Sequence, residues 1–225
     1  MRIQNAMEKI IGMTHDGHQT FFDAANFSWV DNLESNWMAM RRELDELFKE
    51  RESIPSFQDL SRDQMFLTDG DDWKTFFFYT YGHRAKRNCK RCPQTAQLLQ
   101  CIPGMTTAMF SILAPGKHIP EHRGVYKGVL RYHLGLAIPE PELCRIRVGG
   151  ETRHWQEGRS LIFDDTHPHE AWNNSSNHRT VLFVDFLRPL SFPLSMMNRM
   201  IVRKISKSDF ITRWRDEVHR VPPTI

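Results

Sequence analysis

Val129-Leu130-Arg131-Tyr132-His133-Leu134-Gly135-Leu136 is the stretch on which the fold of this chain turns. Side chains alternate across a strand, so Leu130, Tyr132, Leu134 and Leu136 share one face while Arg131, His133 and Gly135 share the other. The apolar face belongs on a core. The cationic face either meets water, as on a surface strand, or lines a cavity in which Arg and His would bind an anion. A later stretch, Arg179-Thr180-Val181-Leu182-Phe183-Val184-Asp185-Phe186, sharpens the choice. Arg179, Val181, Phe183 and Asp185 share one face, and Leu182, Val184 and Phe186 the other. Both faces are largely apolar, so this strand is expected at the centre of a sheet, with Arg179 at the mouth of a cavity. There its guanidinium could clamp a carboxylate with two parallel hydrogen bonds. The alternative is a structural ion pair with a nearby acid.

Further strand-like segments cover residues 106–113, 144–148 and 160–163. Turn signals separate them at Pro115-Gly116, Arg123-Gly124, Gly149-Gly150, Glu157-Gly158 and 173–177. Strands at this spacing predict a sandwich or barrel of the jelly-roll kind.

The flanks read differently. Residues 1–27 show no sustained period and are expected to form a mobile arm. From 31 to 50, Leu33, Trp37, Met40, Leu44, Leu47 and Phe48 fall three or four apart, which predicts one helix, capped by Asp31 with Glu34 completing a capping box. Residues 54–72 are turn-rich and acidic. An aromatic strand is expected over 73–80, then a basic run over 83–92 and a short helix from Pro93 with Leu98 and Leu99 inward. After Pro189 and Pro193, residues 194–219 read as a basic amphipathic helix or helix pair. The organisation expected is α+β in a single domain over 1–225. It comprises a mainly helical layer (1–103), a double-stranded β-helix core (104–190) and a basic helical segment (191–225).

Composition narrows the function classes. The chain has 225 residues, 40% hydrophobic and 25% charged, which suits a folded globular protein with a sizeable core. Thirty basic residues against 27 acidic ones leave a net charge of +3, too little to imply nucleic acid. The N-terminus has no apolar stretch of signal-peptide length, and no segment reaches the roughly 20 apolar residues of a membrane span. A cytoplasmic location is expected.

The chemistry concentrates at two histidines. His122 lies in His118-Ile119-Pro120-Glu121-His122-Arg123-Gly124, and His169 in Thr166-His167-Pro168-His169-Glu170-Ala171-Trp172-Asn173, both expected on short loops. Neutral imidazole binds iron, zinc, copper or nickel, so the pair does not name its ion. Non-haem iron oxygenases commonly add a carboxylate to two histidines, in many of them two residues beyond the first. Here that position is Gly124, which cannot ligate, and Glu121 and Glu170 neighbour the histidines on the opposite side of the backbone. The residues alone give two protein ligands and a missing third.

Several motifs occur in one order between about 88 and 190. They are Phe110-Ser111-Ile112-Leu113-Ala114-Pro115-Gly116, Pro120-Glu121-His122-Arg123-Gly124, Leu130–Leu136 as quoted, Trp155-Gln156-Glu157-Gly158, Phe163-Asp164-Asp165 with His169-Glu170-Ala171-Trp172-Asn173, and Arg179. In these the chain resembles the aspartyl/asparaginyl β-hydroxylases, Fe(II)- and 2-oxoglutarate-dependent oxygenases that hold iron through two histidines. The resemblance implies His122 and His169 as iron ligands, and Ser111, His133 and Arg179 around 2-oxoglutarate. It puts Arg131 toward the prime substrate, able to pair with an anion there. It further implies dioxygen as co-reactant and hydroxylation of an unactivated C–H bond in an Asp or Asn residue, an amino acid or a lipid acyl chain.

Two features stand apart. Cys89 and Cys92 form half of a possible zinc site with no second pair, and the resemblance favours a structural role for them beside the active site. The basic segment over 194–219 leans toward lipid, either resting on an anionic leaflet or packed on the barrel. Two rivals of other classes remain open. One is a cupin-like protein that binds a metal or anion without turnover. The other is a zinc-stabilised nucleic-acid module, which would bind oligonucleotides in a salt-sensitive way.

Overall fold

A computed structural model of the chain describes residues 2–50, 52, 54–57, 71–208 and 211–212. Most of the acidic turn-rich stretch, and Phe210, Arg213, Trp214 and Arg215 of the C-terminal segment, lie outside the described residues.

In chain order the elements are α1 (Arg2–Gly12), β1 (Phe21–Phe22), α2 (Val30–Ser35), α3 (Trp37–Phe48), β2 (Trp73–Thr80), β3 (His83–Arg84), α4 (Lys86–Arg91) and α5 (Pro93–Leu98). Then follow β4 (Met105–Leu113), β5 (His118–His122), β6 (Val129–Ala137), β7 (Cys144–Val148), β8 (Glu151–His154), β9 (Ser160–Phe163), β10 (His169–Asn173), β11 (Arg179–Leu187) and α6 (Leu194–Ile205). The strands form two antiparallel sheets, a larger one in the order β1-β9-β6-β11-β4-β2-β3 and a smaller one in the order β5-β10-β7-β8. This is the expected jelly roll with helices at both ends.

The alternation of β6 and β11 sorts the core into two layers. Leu130, Tyr132, Leu134, Leu136, Leu182, Val184 and Phe186 face outward from the barrel, beneath a cover that includes Leu33, Met40 and Leu44 of α2 and α3. The opposite face of the large sheet contributes Met109, Val181 and Phe183, and packs on Ile119, Ile146, Val148 and Ala171 of the small sheet. Between the two sheets lies the chamber. As the pattern required, β11 is central, with β4 on one side and β6 on the other.

Several expectations for the flanks need correction. Residues 1–27 are not an arm: α1 buries Met7 and Ile11 against Tyr126 and Val202, and β1 pairs Phe21 with Phe163 and Phe22 with Ile162. Fully burying a side chain of this size is worth about 1.5–3 kcal/mol, enough to hold a terminal helix down. The helix expected over 31–50 is two helices that meet at Asn36, whose amide Nδ2 donates to the Asn32 carbonyl at 2.8 Å. Trp29, not Asp31, stands at the first cap, and no capping box forms. Glu34 instead accepts from the Ser160 backbone N–H at 2.8 Å, tying α2 to β9. Glu43 does the same for α5, accepting from the backbone N–H groups of Gln94 and Thr95 at 2.8 and 2.9 Å and from the Thr95 hydroxyl at 2.7 Å.

Candidate active site

The two histidines sit on strand ends rather than loops. β5 finishes at His122 and β10 begins at His169, and the antiparallel register pairs them directly. Their ring centroids are 4.1 Å apart, at an interplanar angle of 51°. A carbonyl oxygen only accepts, so each ring donates from Nδ1: His122 to the Pro120 carbonyl at 2.8 Å, His169 to the His167 carbonyl at 3.0 Å. Each Nε2 is thereby left as the lone-pair nitrogen, the tautomer a metal takes. Burial lowers the basicity of both rings. His169 is pushed down to about 3 by burial, the neighbouring His122 and the Arg131 charge, and His122 is lowered by burial and Arg131 against the opposing Pro120 hydrogen bond. Both stay unprotonated near neutral pH.

The loop before His169 is pinned from beneath. Asp164 is fully buried, and its carboxylate accepts from Lys127 at 2.9 Å, from Arg188, and from the Thr166 backbone N–H at 3.0 Å. Asp165 turns the other way and packs its carboxylate against Gly124, whose N–H donates to the Asp165 carbonyl at 2.7 Å. A Cβ at residue 124 would overlap that carboxylate. The residue that cannot ligate is thus also the residue that makes room for a nearby acid. Among the described residues no group of three or more His, Cys, Asp and Glu is arranged to hold a metal, so the histidine pair stands without a protein carboxylate ligand.

Behind the pair lies the inner chamber. Arg179, expected at the cavity mouth, is 2% exposed and sits deep between the sheets, its guanidinium 4.3 Å over the Trp155 ring. Its Nη1 donates to the Ser111 carbonyl at 3.5 Å, its Nε is unsatisfied, and no carboxylate pairs with it among the described residues. Burial lowers its pKa to about 9, with Cys144 acting against the shift. His133 is 6% exposed with neither ring nitrogen bonded, and Trp155 Nε1 is likewise unpaired. Burial, then Arg131, Arg179 and His169, hold the His133 pKa well below 6.5. The Ser111 hydroxyl accepts from Trp73 Nε1 at 3.0 Å. Buried donors with no acceptor are costly, and a lone guanidinium most of all. This cluster of orphaned donors fits a dianionic carboxylate ligand.

In front of the pair opens a pocket of about 140 Å³. Its floor holds His122, Arg131, Asp165 and Asp185, and its walls include Val125, Tyr126, Val129, Phe183, Val202 and Ile205. Arg131 faces the pocket, as its place on β6 requires, but it is not free to clamp a substrate anion. Its guanidinium pairs with Asp185 at 2.9 Å and Asp165 at 2.8 Å, and lies 4.3 Å over the Phe183 ring. Burial pulls its pKa down, but the two carboxylates more than offset that. One cation between two acids leaves the floor without positive charge to spare.

The structure therefore brings together His122, His169, Ser111, His133 and Arg179, and sets Arg131 beside them in a different state from the one expected. Asp165, Asp185 and Trp155 were assigned no role from sequence. Asp185 carried a signal, since alternation put it on the same face as Arg179. The Cys89 and Cys92 thiols are buried and free, with no companion ligands among the described residues.

Comparison with known proteins follows the same lines. A family model described as Aspartyl/Asparaginyl beta-hydroxylase matches residues 34–189. An ornithine lipid ester-linked acyl 2-hydroxylase of Rhizobium tropici is 45% identical over 201 residues, 89% of this chain and 72% of that protein. The aspartyl/asparaginyl beta-hydroxylase of Homo sapiens is 36% identical over 165 residues, 71% of this chain but only 21% of the human protein. Among solved structures, a Pseudomonas putida prolyl-4-hydroxylase aligns with a TM-score of 0.47 at 15% identity, over 72% of this chain and 98% of that one.

Proposed function

The chain belongs to the aspartyl/asparaginyl β-hydroxylase family and is a hydroxylating enzyme, and from that premise we propose that it uses Fe(II), 2-oxoglutarate and dioxygen to hydroxylate an acyl chain of a lipid. His122 and His169 would hold the iron through their Nε2 atoms, with Nδ1 of each tied to a backbone carbonyl. Arg179 would take the far carboxylate of the 2-oxo acid, with His133, Ser111 and Trp155 around it. Held there, iron and the 2-oxo acid would supply the oxidising chemistry, with one oxygen atom of dioxygen passing into the C–H bond and the other into succinate as carbon dioxide is lost. The work of the chain itself is to desolvate and orient. The sheets exclude water from the chamber, Trp155 supports the guanidinium from one face, and Asp164 anchors the loop that carries His169.

The observation that carries this reading is the buried, carboxylate-free guanidinium of Arg179 behind a paired set of neutral histidines. The acyl-chain preference has separate support. Arg131 is charge-balanced by Asp165 and Asp185, and although Arg123, Thr106 and Thr107 also line the pocket, Val125, Val129, Phe183, Val202 and Ile205 give it an apolar wall that suits a hydrocarbon. The relative at 45% identity is named for acyl 2-hydroxylation of a lipid.

Anaerobic loading with Fe(II) and then 2-oxoglutarate is expected to produce a weak visible charge-transfer band. Arg179→Gln is expected to keep iron and weaken 2-oxoglutarate binding by more than about a hundredfold, in keeping with roughly 3–5 kcal/mol for breaking a buried charge pair. No band in the wild type, together with no succinate from any lipid, overturns the assignment.

A further inference from the structure

The inference deepens the acyl-chain reading and rests on it for its purpose, while its observations concern a different surface. α6 has two faces. Asn198 and Val202 point inward, and Val202 with Ile205 forms one wall of the pocket. On the opposite side Met196, Met200 and Arg203 follow one another at spacings of four and three, the repeat of a single helical stripe, and Lys207 stands exposed in the turn just past the helix end. Met196 is 53% exposed and Met200 65%, and Phe192, just before the helix, is 78% exposed. Arg199 and Lys204 flank the stripe, both exposed. No Asp or Glu occurs between Asp185 and Asp209. None of the four cations makes an ion pair among the described residues.

A helix already packed on one side gains nothing in folding from exposed methionines, an exposed phenylalanine and four cations that form no ion pair among the described residues. We propose that the outward face of α6, with Phe192, is a docking surface for an anionic lipid leaflet, carried by the same helix whose inner face walls the pocket. Apolar side chains set among cations with no acid is the pattern of a helix lying in the headgroup region. Nucleic acid would satisfy the cations and leave the methionines and Phe192 in water. A second copy of the chain seated across a two-fold axis would place these cations against one another. Two more apolar side chains are exposed nearby in the fold, Val125 of the pocket lining at 69% and Ile3 of α1 at 68%, and the Gln4 side chain ties α1 to the Val125 carbonyl at 3.1 Å.

The test is co-sedimentation of the full chain, without iron or 2-oxoglutarate, with vesicles of phosphatidylcholine alone or mixed with phosphatidylglycerol. Binding is expected only to the mixed vesicles and is expected to weaken as salt rises. A cation near such a surface contributes about a kilocalorie per mole, roughly a fivefold change in partitioning, so Arg203→Glu with Lys204→Glu should cost more than about tenfold. Met196→Ser with Met200→Ser should weaken binding while leaving the thermal transition and the visible band of the loaded enzyme unchanged. Equal binding to both vesicle types, no binding by the wild type, or variants that bind as the wild type does would each overturn the proposal. So would a methionine pair whose replacement only turns a dimer into a monomer in sedimentation velocity. A protein that binds vesicles but shows no charge-transfer band would retain the docking surface and lose the oxygenase assignment.

Discussion

Gly124 concentrates the argument at the scale of single residues. Its α-carbon is pressed on the Asp165 carboxylate, so Gly124→Ala forces either the loop before His169 or the carboxylate to move. Overpacking of this kind costs about 1–3 kcal/mol, and the variant should show a lowered urea midpoint together with weaker iron binding by equilibrium dialysis. An unchanged midpoint would mean that the carboxylate swings aside freely. The importance of Gly124 was half legible in the sequence. That it could not ligate was plain, whereas its contact with Asp165 depends on two segments forty residues apart meeting. Arg131 follows the same rule. Alternation gave its direction, but its partners come from the loop after β9 (Asp165) and from the neighbouring β11 (Asp185), and the strand period contains neither loop path nor register.

Elements divide by how local their determinants are. β6 and β11 could be read directly, because a period of two with uninterrupted apolar residues leaves few alternatives. β5 and β10 escaped notice, being five residues each, the first interrupted by Pro120 and the second rich in polar residues, although they carry the two histidines. α1 is legible in part: Ile3, Met7, Ile10 and Ile11 carry helical spacing, and the glycines beyond it obscure the pattern. The short α5 depends on a distant cap. Glu43 satisfies two of its first backbone N–H groups from α3, so Glu43→Ala should destabilise the fold by about 1–2 kcal/mol in chemical denaturation, while Glu43→Gln should recover part of the loss. Equal stability for the alanine variant and the wild type would show that water replaces the cap at no cost.

Over the whole molecule, the buried histidines govern the response to acid. His122, His133 and His169 have folded-state pKa values below 6.5, chiefly through burial, so the unfolded chain takes up their protons first as pH falls. Stability from these groups is fully present above about pH 6.5 and is lost below it. Asp165 works in the opposite sense, since burial raises its pKa and the folded chain binds its proton more readily. His167, also lowered by burial, makes four groups against one, which predicts that the urea midpoint of the iron-free protein falls between about pH 7 and 5, and that His133→Phe shows a shallower fall. A flat profile would mean that these rings are solvated in the folded state. The same layered construction bears on kinetics. His122 lines the outer pocket, whereas Ser111, His133 and Arg179 stand behind it, each no more than 6% exposed. Under the proposed function, a guest lodged in the outer compartment is expected to block the inner one, so that the small dicarboxylate would arrive first and its spent remnant would depart last.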